Sequence, residues 1–361
     1  MGLLDQTNIR LPGFRRRDVL KAAVLAPLGA AVPWNRLAAG MESHATVAAL
    51  DPLPLGRAMA RAARLDQLHG LIIGLNGEVA VGEAFRGPKL DRSVNVKSVS
   101  KTIVASLAGA ALDRGVLRSV DQPLADLMPD LIPAGADPRV RGITVSQLLT
   151  MQAGLERTSG PNYGRWVESP NWIAFALSRP LVAEPGEGML YSTGSYHVLG
   201  AALARATGRS LLSLARDWLG EPLGITIQPW TRDPQGFYMG GNNMALSPLA
   251  LFRFGDMWRR GGLWEGNRVL GAAWTEASWI PRTLSPFSGD AYGYGWFLAE
   301  MHGRKVAYAR GYGGQMLYVV PSVGLTVVVT SDPTRPARSE GYVGILNAIL
   351  ADDIIPAAEQ R

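Results

Sequence analysis

Ser98 and Lys101 are the residues of this chain whose types and spacing most directly suggest chemistry. They form a Ser-x-x-Lys tetrad that opens an apolar helical run over 102–117. Positions three apart share one face of a helix, so the hydroxyl and the amine are predicted to lie side by side. A serine becomes a good nucleophile when a neighbour accepts its proton, and a lysine can do so when its pKa is lowered. The pattern predicts a nucleophile and its base at a helix N-terminus; a capping serine is the structural alternative.

Lys97 lies four residues before Lys101 and carries a positive charge that could lower the pKa of Lys101. Like charges disfavour the charged form of an amine. A base that works at neutral pH needs a pKa near 7, as a rough guide. We therefore expect Lys97 to contribute to this shift if its side chain faces the site, and not if it faces solvent.

Two later segments add polar and glycine-rich features that suit an active site. Tyr191 lies on a turn-like segment that begins at Pro185-Gly186, about ninety residues after Ser98. The glycine-rich stretch 310–315 leads into an apolar strand over 316–320. Bare backbone at the entry to a strand can approach a ligand closely. Each feature alone is as well explained by packing or by a turn, but their order along the chain favours a site.

In these three motifs the chain resembles the penicillin-recognising serine hydrolases, over roughly residues 65–350. That superfamily includes the class C β-lactamases, the DD-peptidases, and related esterases and amidases. The segments 292–296 and 310–321 are most similar to the branch of aminohexanoate-oligomer hydrolases and esterases. The resemblance implies a β-lactamase/transpeptidase-like α/β (α+β) fold, in which an antiparallel sheet is flanked by helices and carries an inserted helical lobe.

The resemblance also implies a role for each site residue. Ser98 is acylated, Lys101 accepts its proton, and Tyr191 relays protons to the leaving group and later to water. The backbone N–H groups of Ser98 and Gln315 form the oxyanion hole. The residues expected to bind substrate are Tyr163, Tyr312, Gly313 and Gly314.

Two departures from the family motifs bear on the substrate. Thr193 stands where the β-lactamases have an Asn, and a hydroxyl offers fewer hydrogen bonds than an amide. The Lys-Thr-Gly motif aligns with Tyr312-Gly313-Gly314, so the cation that holds a β-lactam carboxylate is absent unless Arg310 replaces it. Both departures favour an ester or a linear amide over a β-lactam. β-Lactamase or DD-peptidase activity, and a non-catalytic relative that binds cell-wall fragments, remain the alternatives.

Strand signals at both ends of the chain and helical signals between them predict the elements that position these residues. Asn76-Gly77 between two apolar runs suits a type I′ hairpin. The strand-rich lobe is expected over about 50–115 and 290–361, and the helical lobe over about 116–289. Together they form one hydrolase domain over 41–361, with the site in the cleft between the lobes.

Composition excludes several other classes of protein. The 361 residues contain no Cys, and the four His residues are scattered, so neither a metal nor another cofactor is expected. The first 40 residues hold six basic and two acidic residues, hence +4 of the net charge of +6. The rest of the chain has no basic face with interleaved aromatics, so no nucleic-acid partner is expected. No run in the mature chain is long and apolar enough for a transmembrane helix.

The first 40 residues read as a twin-arginine signal peptide. Arg16-Arg17 precede a moderately apolar run over 22–32 and small residues that suit cleavage. This order predicts a bacterial protein that is passed by the twin-arginine translocase to the periplasm or the medium. A basic N-terminal helix on a cytoplasmic protein is the alternative.

Overall fold

The structure of the protein, a computed structural model, describes residues 49–359, and the predicted signal peptide lies outside this range. An eight-stranded antiparallel sheet has the order β2-β1-β12-β11-β10-β9-β8-β7. Two further pairs, β3 with β4 and β5 with β6, are separate short ribbons. The strands are β1 (Leu68–Leu75), β2 (Glu78–Ala84), β3 (Val94–Asn95), β4 (Ala245–Leu246), β5 (Leu263–Trp264), β6 (Asn267–Arg268), β7 (Thr283–Leu284), β8 (Ala291–Tyr292), β9 (Phe297–Met301), β10 (Arg304–Gly311), β11 (Gln315–Val320) and β12 (Leu325–Ser331).

The sheet joins the two ends of the chain, as the sequence predicts. β1 pairs with β12 in an antiparallel register that places Ile72 opposite Val328. Asn76 and Gly77 both have positive φ angles, 54° and 98°, as a type I′ turn requires. The predicted hairpin is therefore confirmed, and it sets the register of β1 against β2.

Thirteen α-helices are present within residues 49–359. They are α1 (Pro52–Ala63), α2 (Ser100–Asp113), α3 (Leu124–Leu127), α4 (Val145–Leu149), α5 (Tyr163–Val167), α6 (Trp172–Leu177), α7 (Thr193–Thr207), α8 (Leu211–Ala215), α9 (Glu221–Leu223), α10 (Pro248–Arg259), α11 (Ala272–Ser278), α12 (Tyr342–Ile349) and α13 (Ile355–Ala358). None of the helices in this part of the chain could cross a bilayer. The predicted closing helix over 341–352 is longer than expected, since a π-helical turn joins α12 to α13.

The position of α10 differs from the predicted division of the chain into two lobes. α10 lies within 116–289, yet it packs on the sheet: the ring of Phe252 covers Gly74, and Leu317 contacts Gly255. The apolar side chains of α10 are buried only if they cover an apolar sheet face, and that requirement overrides its position in the chain. α1 and the C-terminal helices cover the opposite face, where Ala62 and Leu346 approach Leu71. The helical lobe therefore excludes α10, and the short strands β7 and β8 extend the sheet at its edge.

Candidate active site

Ser98 lies in a short 3₁₀ turn, Lys97–Val99, which leads directly into α2. Lys97 has a positive φ of 51°, a conformation that a side chain other than Gly adopts only where its surroundings enforce it. Asn95 Oδ1 accepts from the Lys97 N–H at 2.9 Å, and Ser100 Oγ donates to the Lys97 carbonyl at 2.5 Å. Ser100 Oγ in turn accepts from the Met244 N–H at 3.1 Å. These bonds fix the turn that presents the Ser98 hydroxyl.

Lys101 is buried beside Ser98, as the tetrad predicts. Its side chain is only 2% exposed, and Nζ lies 3.1 Å from Ser98 Oγ. Nζ also donates to the Gly241 carbonyl at 2.8 Å and to Thr193 Oγ1 at 3.3 Å. The amine therefore has three oxygen partners in a site closed to water.

Burial lowers the pKa of Lys101 below its ordinary value of 10.5, and the nearby Tyr191 phenol partly offsets that shift. The cause is removal of the charged amine from water, which disfavours the ammonium form. The charge of Lys97, whose contribution the sequence left open, is not a cause of this shift. A lysine in this environment is suited to accept a proton.

Tyr191 completes the cluster from the segment that precedes α7. Lys101 Nζ lies over its ring, 4.9 Å from the ring centroid. Phe287 packs edge-on against the outer side of the same ring, with centroids 5.9 Å apart. The structure thus brings together Ser98 and Lys101 from one segment of the chain with Tyr191 from another.

The N-terminus of α7 is capped by side chains from a different loop. Ser159 Oγ accepts from the Thr193 N–H at 2.9 Å, and Thr158 Oγ1 accepts from the Gly194 N–H at 2.7 Å. Thr193 Oγ1 and Ser159 Oγ are also hydrogen bonded, at 3.0 Å. The loop 157–160 is in this way held against the helix that carries Thr193, the residue that departs from the family motif.

These residues face a cleft of about 760 Å³. Ser98, Tyr191, Tyr163 and Tyr312 line it, so four of the predicted site residues border one space. Tyr312 is 53% exposed at the rim. Tyr163 is more buried; burial raises its pKa, and a 3.1 Å hydrogen bond from Asn242 Nδ2 to its hydroxyl opposes the shift.

Besides the buried Lys101, three predicted residues do not line this cleft. Gly313 and Gly314 form the turn between β10 and β11, where Gly313 packs on Asp332 and Gly314 on the ring of Tyr342. Gln315 is 1% exposed, and its amide is bonded to the backbone of Ser331 at 2.7 and 3.1 Å. Gly313, Gly314 and Gln315 therefore lie outside the lining of the cleft, and the oxyanion role of the Gln315 backbone N–H stays a prediction.

The preceding residues occupy the wall of the cleft instead. Arg310, Gly311 and Tyr312 line it. A Cβ on Gly311 would lie 2.4 Å from the Val96 carbonyl and 3.0 Å from Lys97 Cβ. The backbone of the β10 end thus lies directly against the turn that carries Ser98, and only a glycine fits there.

The cleft also contains positive charge that the motif alignment did not predict. Arg310, Arg157 and Lys97 line it, and no Asp or Glu of residues 49–359 does. The Arg310 guanidinium donates to Ser339 Oγ at 2.7 Å and to the Ala337 carbonyl at 2.9 Å, which are both neutral acceptors. Arg310, which the sequence left open as the replacement for the missing Lys, therefore lies at the cleft.

Sequence reasoning missed Ser159, Asn242 and Gly241, which line or support the site. Each is placed by contacts across at least 34 residues of chain, and the local sequence around them carries no motif that could have identified them. No cluster of three or more potential metal ligands occurs between residues 49 and 359.

Comparisons with known proteins agree with this geometry. The family model described as Beta-lactamase matches residues 62–351. The D-alanyl-D-alanine-carboxypeptidase/endopeptidase AmpH of Escherichia coli (strain K12) is 24% identical over 324 residues, which cover 78% of this chain and 83% of AmpH. Esterase EstB of Burkholderia gladioli is 30% identical over 215 residues, which cover 50% of this chain and 54% of EstB.

A solved structure supports the same fold. The D-stereospecific amidohydrolase from Streptomyces sp. has a TM-score of 0.64 and 17% identity, and the match covers 83% of this chain and 99% of that one. The antiparallel sheet with flanking helices is the β-lactamase/transpeptidase-like fold expected from the sequence, and that prediction is confirmed. The chain belongs to the beta-lactamase family, within the penicillin-recognising serine hydrolase superfamily.

Proposed function

We propose that this protein is an exported serine hydrolase that cleaves an ester or amide bond through an acyl-enzyme on Ser98. The observation that carries the proposal is the 3.1 Å contact between Ser98 Oγ and the buried Lys101 Nζ. A buried amine with a lowered pKa next to a serine hydroxyl is the arrangement that nucleophilic catalysis needs. The similarity to an esterase supports the cleavage of an ester bond.

Acylation begins when Ser98 Oγ attacks the substrate carbonyl carbon and its proton passes to Lys101 Nζ. The new ammonium is held by the Gly241 carbonyl and by Thr193 Oγ1. Tyr191, whose ring lies under Nζ, relays a proton to the leaving oxygen or nitrogen as its bond to the acyl carbon breaks. Water then attacks the acyl-enzyme and loses a proton through the same groups, which releases the acid and restores Ser98.

The oxyanion hole is assigned to the backbone N–H groups of Ser98 and Tyr312. Tyr312 is preferred to Gln315 in this role because Tyr312 is one of the residues that line the cleft, whereas Gln315 is not. Gly311, the residue before Tyr312, packs against the turn of Ser98. One such donor contributes about 3 kcal/mol of transition-state stabilisation.

DD-peptidase or β-lactamase activity is the second candidate, and the cleft cations together with the relative AmpH favour it. A panel of p-nitrophenyl esters, linear amides, D-amino-acid peptides and nitrocefin separates the candidates by their kcat/KM values. Labelling by a serine-directed fluorophosphonate tests the third alternative, a cell-wall-binding protein without activity. No labelling and no turnover of any substrate in the panel would support that alternative and exclude an enzyme.

Short acyl esters are expected to be hydrolysed faster than nitrocefin, by at least about tenfold in kcat/KM. The reason is Thr193, whose single hydroxyl is already bonded to Lys101 and Ser159, so it offers a β-lactam no free amide group. Thr193→Asn should raise nitrocefin turnover relative to ester turnover. Faster hydrolysis of nitrocefin than of a p-nitrophenyl ester by the wild type would instead establish the β-lactamase alternative.

Replacement of Arg16-Arg17 by Lys-Lys should leave the protein in the cytoplasm as an uncleaved precursor, because the twin-arginine translocase reads that pair. The measurement is an immunoblot of cytoplasmic and periplasmic fractions. Arg36→Lys, outside the arginine pair, is the matched control and should be exported normally. Export of the Lys-Lys variant at the wild-type level would refute the assignment of the signal.

A further inference from the structure

Ser159 lies at the end of a chain of hydrogen bonds that starts at the catalytic lysine. Lys101 Nζ contacts Thr193 Oγ1 at 3.3 Å, and Thr193 Oγ1 contacts Ser159 Oγ at 3.0 Å. Ser159 is 9% exposed and lines the cleft, as do Tyr191 and Asn242. The buried lysine is thus connected to the substrate space through two hydroxyl groups.

The direction of this chain follows from counting protons. Once Ser98 has given its proton to Lys101, the amine is an ammonium with three N–H donors and no lone pair. Its hydrogen-bonded oxygen partners are Ser98 Oγ, the Gly241 carbonyl and Thr193 Oγ1, so Thr193 Oγ1 accepts until a proton passes on to Tyr191. The Thr193 proton then points to Ser159 Oγ, the remaining hydroxyl within reach.

The two lone pairs of Ser159 Oγ are then both occupied. One accepts from the Thr193 N–H at 2.9 Å and the other from the Thr193 hydroxyl at 3.0 Å. A hydroxyl has one proton and two lone pairs, so the Ser159 proton is left without a partner among the described residues. Because Ser159 lines the cleft, an acceptor on a bound substrate can take up this proton.

We propose that Ser159 is a substrate-binding residue whose hydroxyl donates a hydrogen bond to a carbonyl oxygen within the acyl chain of the substrate. The substrate class is therefore an N-acylated or otherwise oxo-substituted acyl ester or amide, rather than a plain alkanoyl one. This inference rests on the proposed hydrolase function. In this proposal Ser159 supplies the hydrogen-bond donor that is lost where Thr193 replaces the Asn of the second family motif.

The contact is strongest during acylation. The direction of the chain is enforced when Lys101 carries the extra proton, which is the state that accompanies the tetrahedral intermediate. An interaction that is stronger in the transition state than in the ground state raises kcat rather than lowering KM. The Ser159 bond should therefore appear mainly in kcat.

Two p-nitrophenyl esters of the same shape test the proposal. The N-acetylglycine ester carries a carbonyl oxygen where the 4-methylpentanoic ester carries a methyl group. The quantity compared is the ratio of kcat/KM for the acetylglycine ester to that for the methylpentanoic ester, in which effects common to both esters cancel. Ser159→Ala should lower this ratio about three- to tenfold, the range expected for one neutral hydrogen bond, and mainly through kcat.

Thr158→Ala is the matched control. It removes a cap from the same helix end, since Thr158 Oγ1 accepts from the Gly194 N–H, but Thr158 does not line the cleft. Thr158→Ala should lose about as much stability as Ser159→Ala. Its ratio of kcat/KM for the two esters should stay at the wild-type value. Ser159→Thr keeps the hydroxyl and should also keep the ratio.

An unchanged ratio in Ser159→Ala would overturn the proposal, and so would an equal drop of the ratio in Thr158→Ala. Either result would leave the proposed function intact, because that function is tested separately by modification of Ser98. If Ser159→Ala fails to fold, Ser159→Cys supplies the second measurement: its thiol is a weaker donor, so the ratio should again fall, and a wild-type ratio would contradict the proposal.

Discussion

Ser98→Ala should abolish hydrolysis, with kcat falling by roughly 10⁴- to 10⁶-fold, as occurs when the nucleophile of a cooperating catalytic group is removed. The fold should persist, because the Ser98 hydroxyl has a single hydrogen-bond partner, Lys101, in the described structure. The free energy of unfolding should therefore change by about 1 kcal/mol or less. The measurements are turnover of a p-nitrophenyl ester and thermal unfolding of the same preparation.

Mass spectrometry of the wild type with a slow substrate or a fluorophosphonate should locate the adduct on Ser98. Trypsin cuts after Lys97 and Lys101, so the labelled fragment is Ser98-Val99-Ser100-Lys101 and contains a second serine. Ser100 is fully buried, and its hydroxyl fixes the turn. Fragmentation of the labelled peptide should therefore place the added mass on Ser98 and not on Ser100. An adduct that survives Ser98→Ala would assign the nucleophile to another residue.

Local patterns in the sequence were enough to place the nucleophile and its base. The spacing of Ser98 and Lys101 fixes their geometry within one helical turn, so no distant contact is needed to bring them together. The Asn76-Gly77 hairpin was predictable for the same reason, because both positive φ angles are properties of those two residues. Predictions failed where the position depends on how separate elements meet.

The glycine-rich stretch shows how such a failure arises. Its sequence indicates a turn next to a strand, but not which residues form the turn. In the structure the turn is 312–314, between β10 and β11, so the end of β10 rather than the start of β11 faces the cleft. The sequence therefore did not show that Arg310, Gly311 and Tyr312, rather than 313–315, are the residues of this stretch that line the cleft.

The hydroxyl chain could not have been predicted from a single sequence. Ser159 is 34 residues from Thr193 in the chain, and Lys101 is 92 residues from Thr193. Serine and threonine are common on surfaces and in caps, so their types alone do not indicate a buried chain of hydrogen bonds. Ser159 and Thr193 come within hydrogen-bonding distance because the loop 157–160 caps the N-terminus of α7.

Lys101→Met should reduce kcat/KM by about 10²- to 10⁴-fold, the usual contribution of a general base. Methionine has a similar length but cannot accept the Ser98 proton. The wild type should show an acid limb in its pH profile of kcat/KM, because the base must be neutral to act. Since burial lowers the pKa of Lys101, this limb should lie below the ordinary lysine value of 10.5, and activity should fall as the pH drops through it.

The absence of cysteine from the whole chain permits a sharper version of this test. Lys101→Cys creates a unique thiol, which bromoethylamine converts in the unfolded protein to a lysine analogue with sulfur in its side chain. The electron-withdrawing sulfur lowers the intrinsic pKa of the amine, so the refolded protein should regain activity with its acid limb at lower pH than the wild type. Lys305→Cys, at an exposed position on β10, is the control and should keep the wild-type profile after the same treatment. Restored activity with an acid limb at the wild-type pH would show that another group is the titrating base, and Lys101 would then only position Ser98.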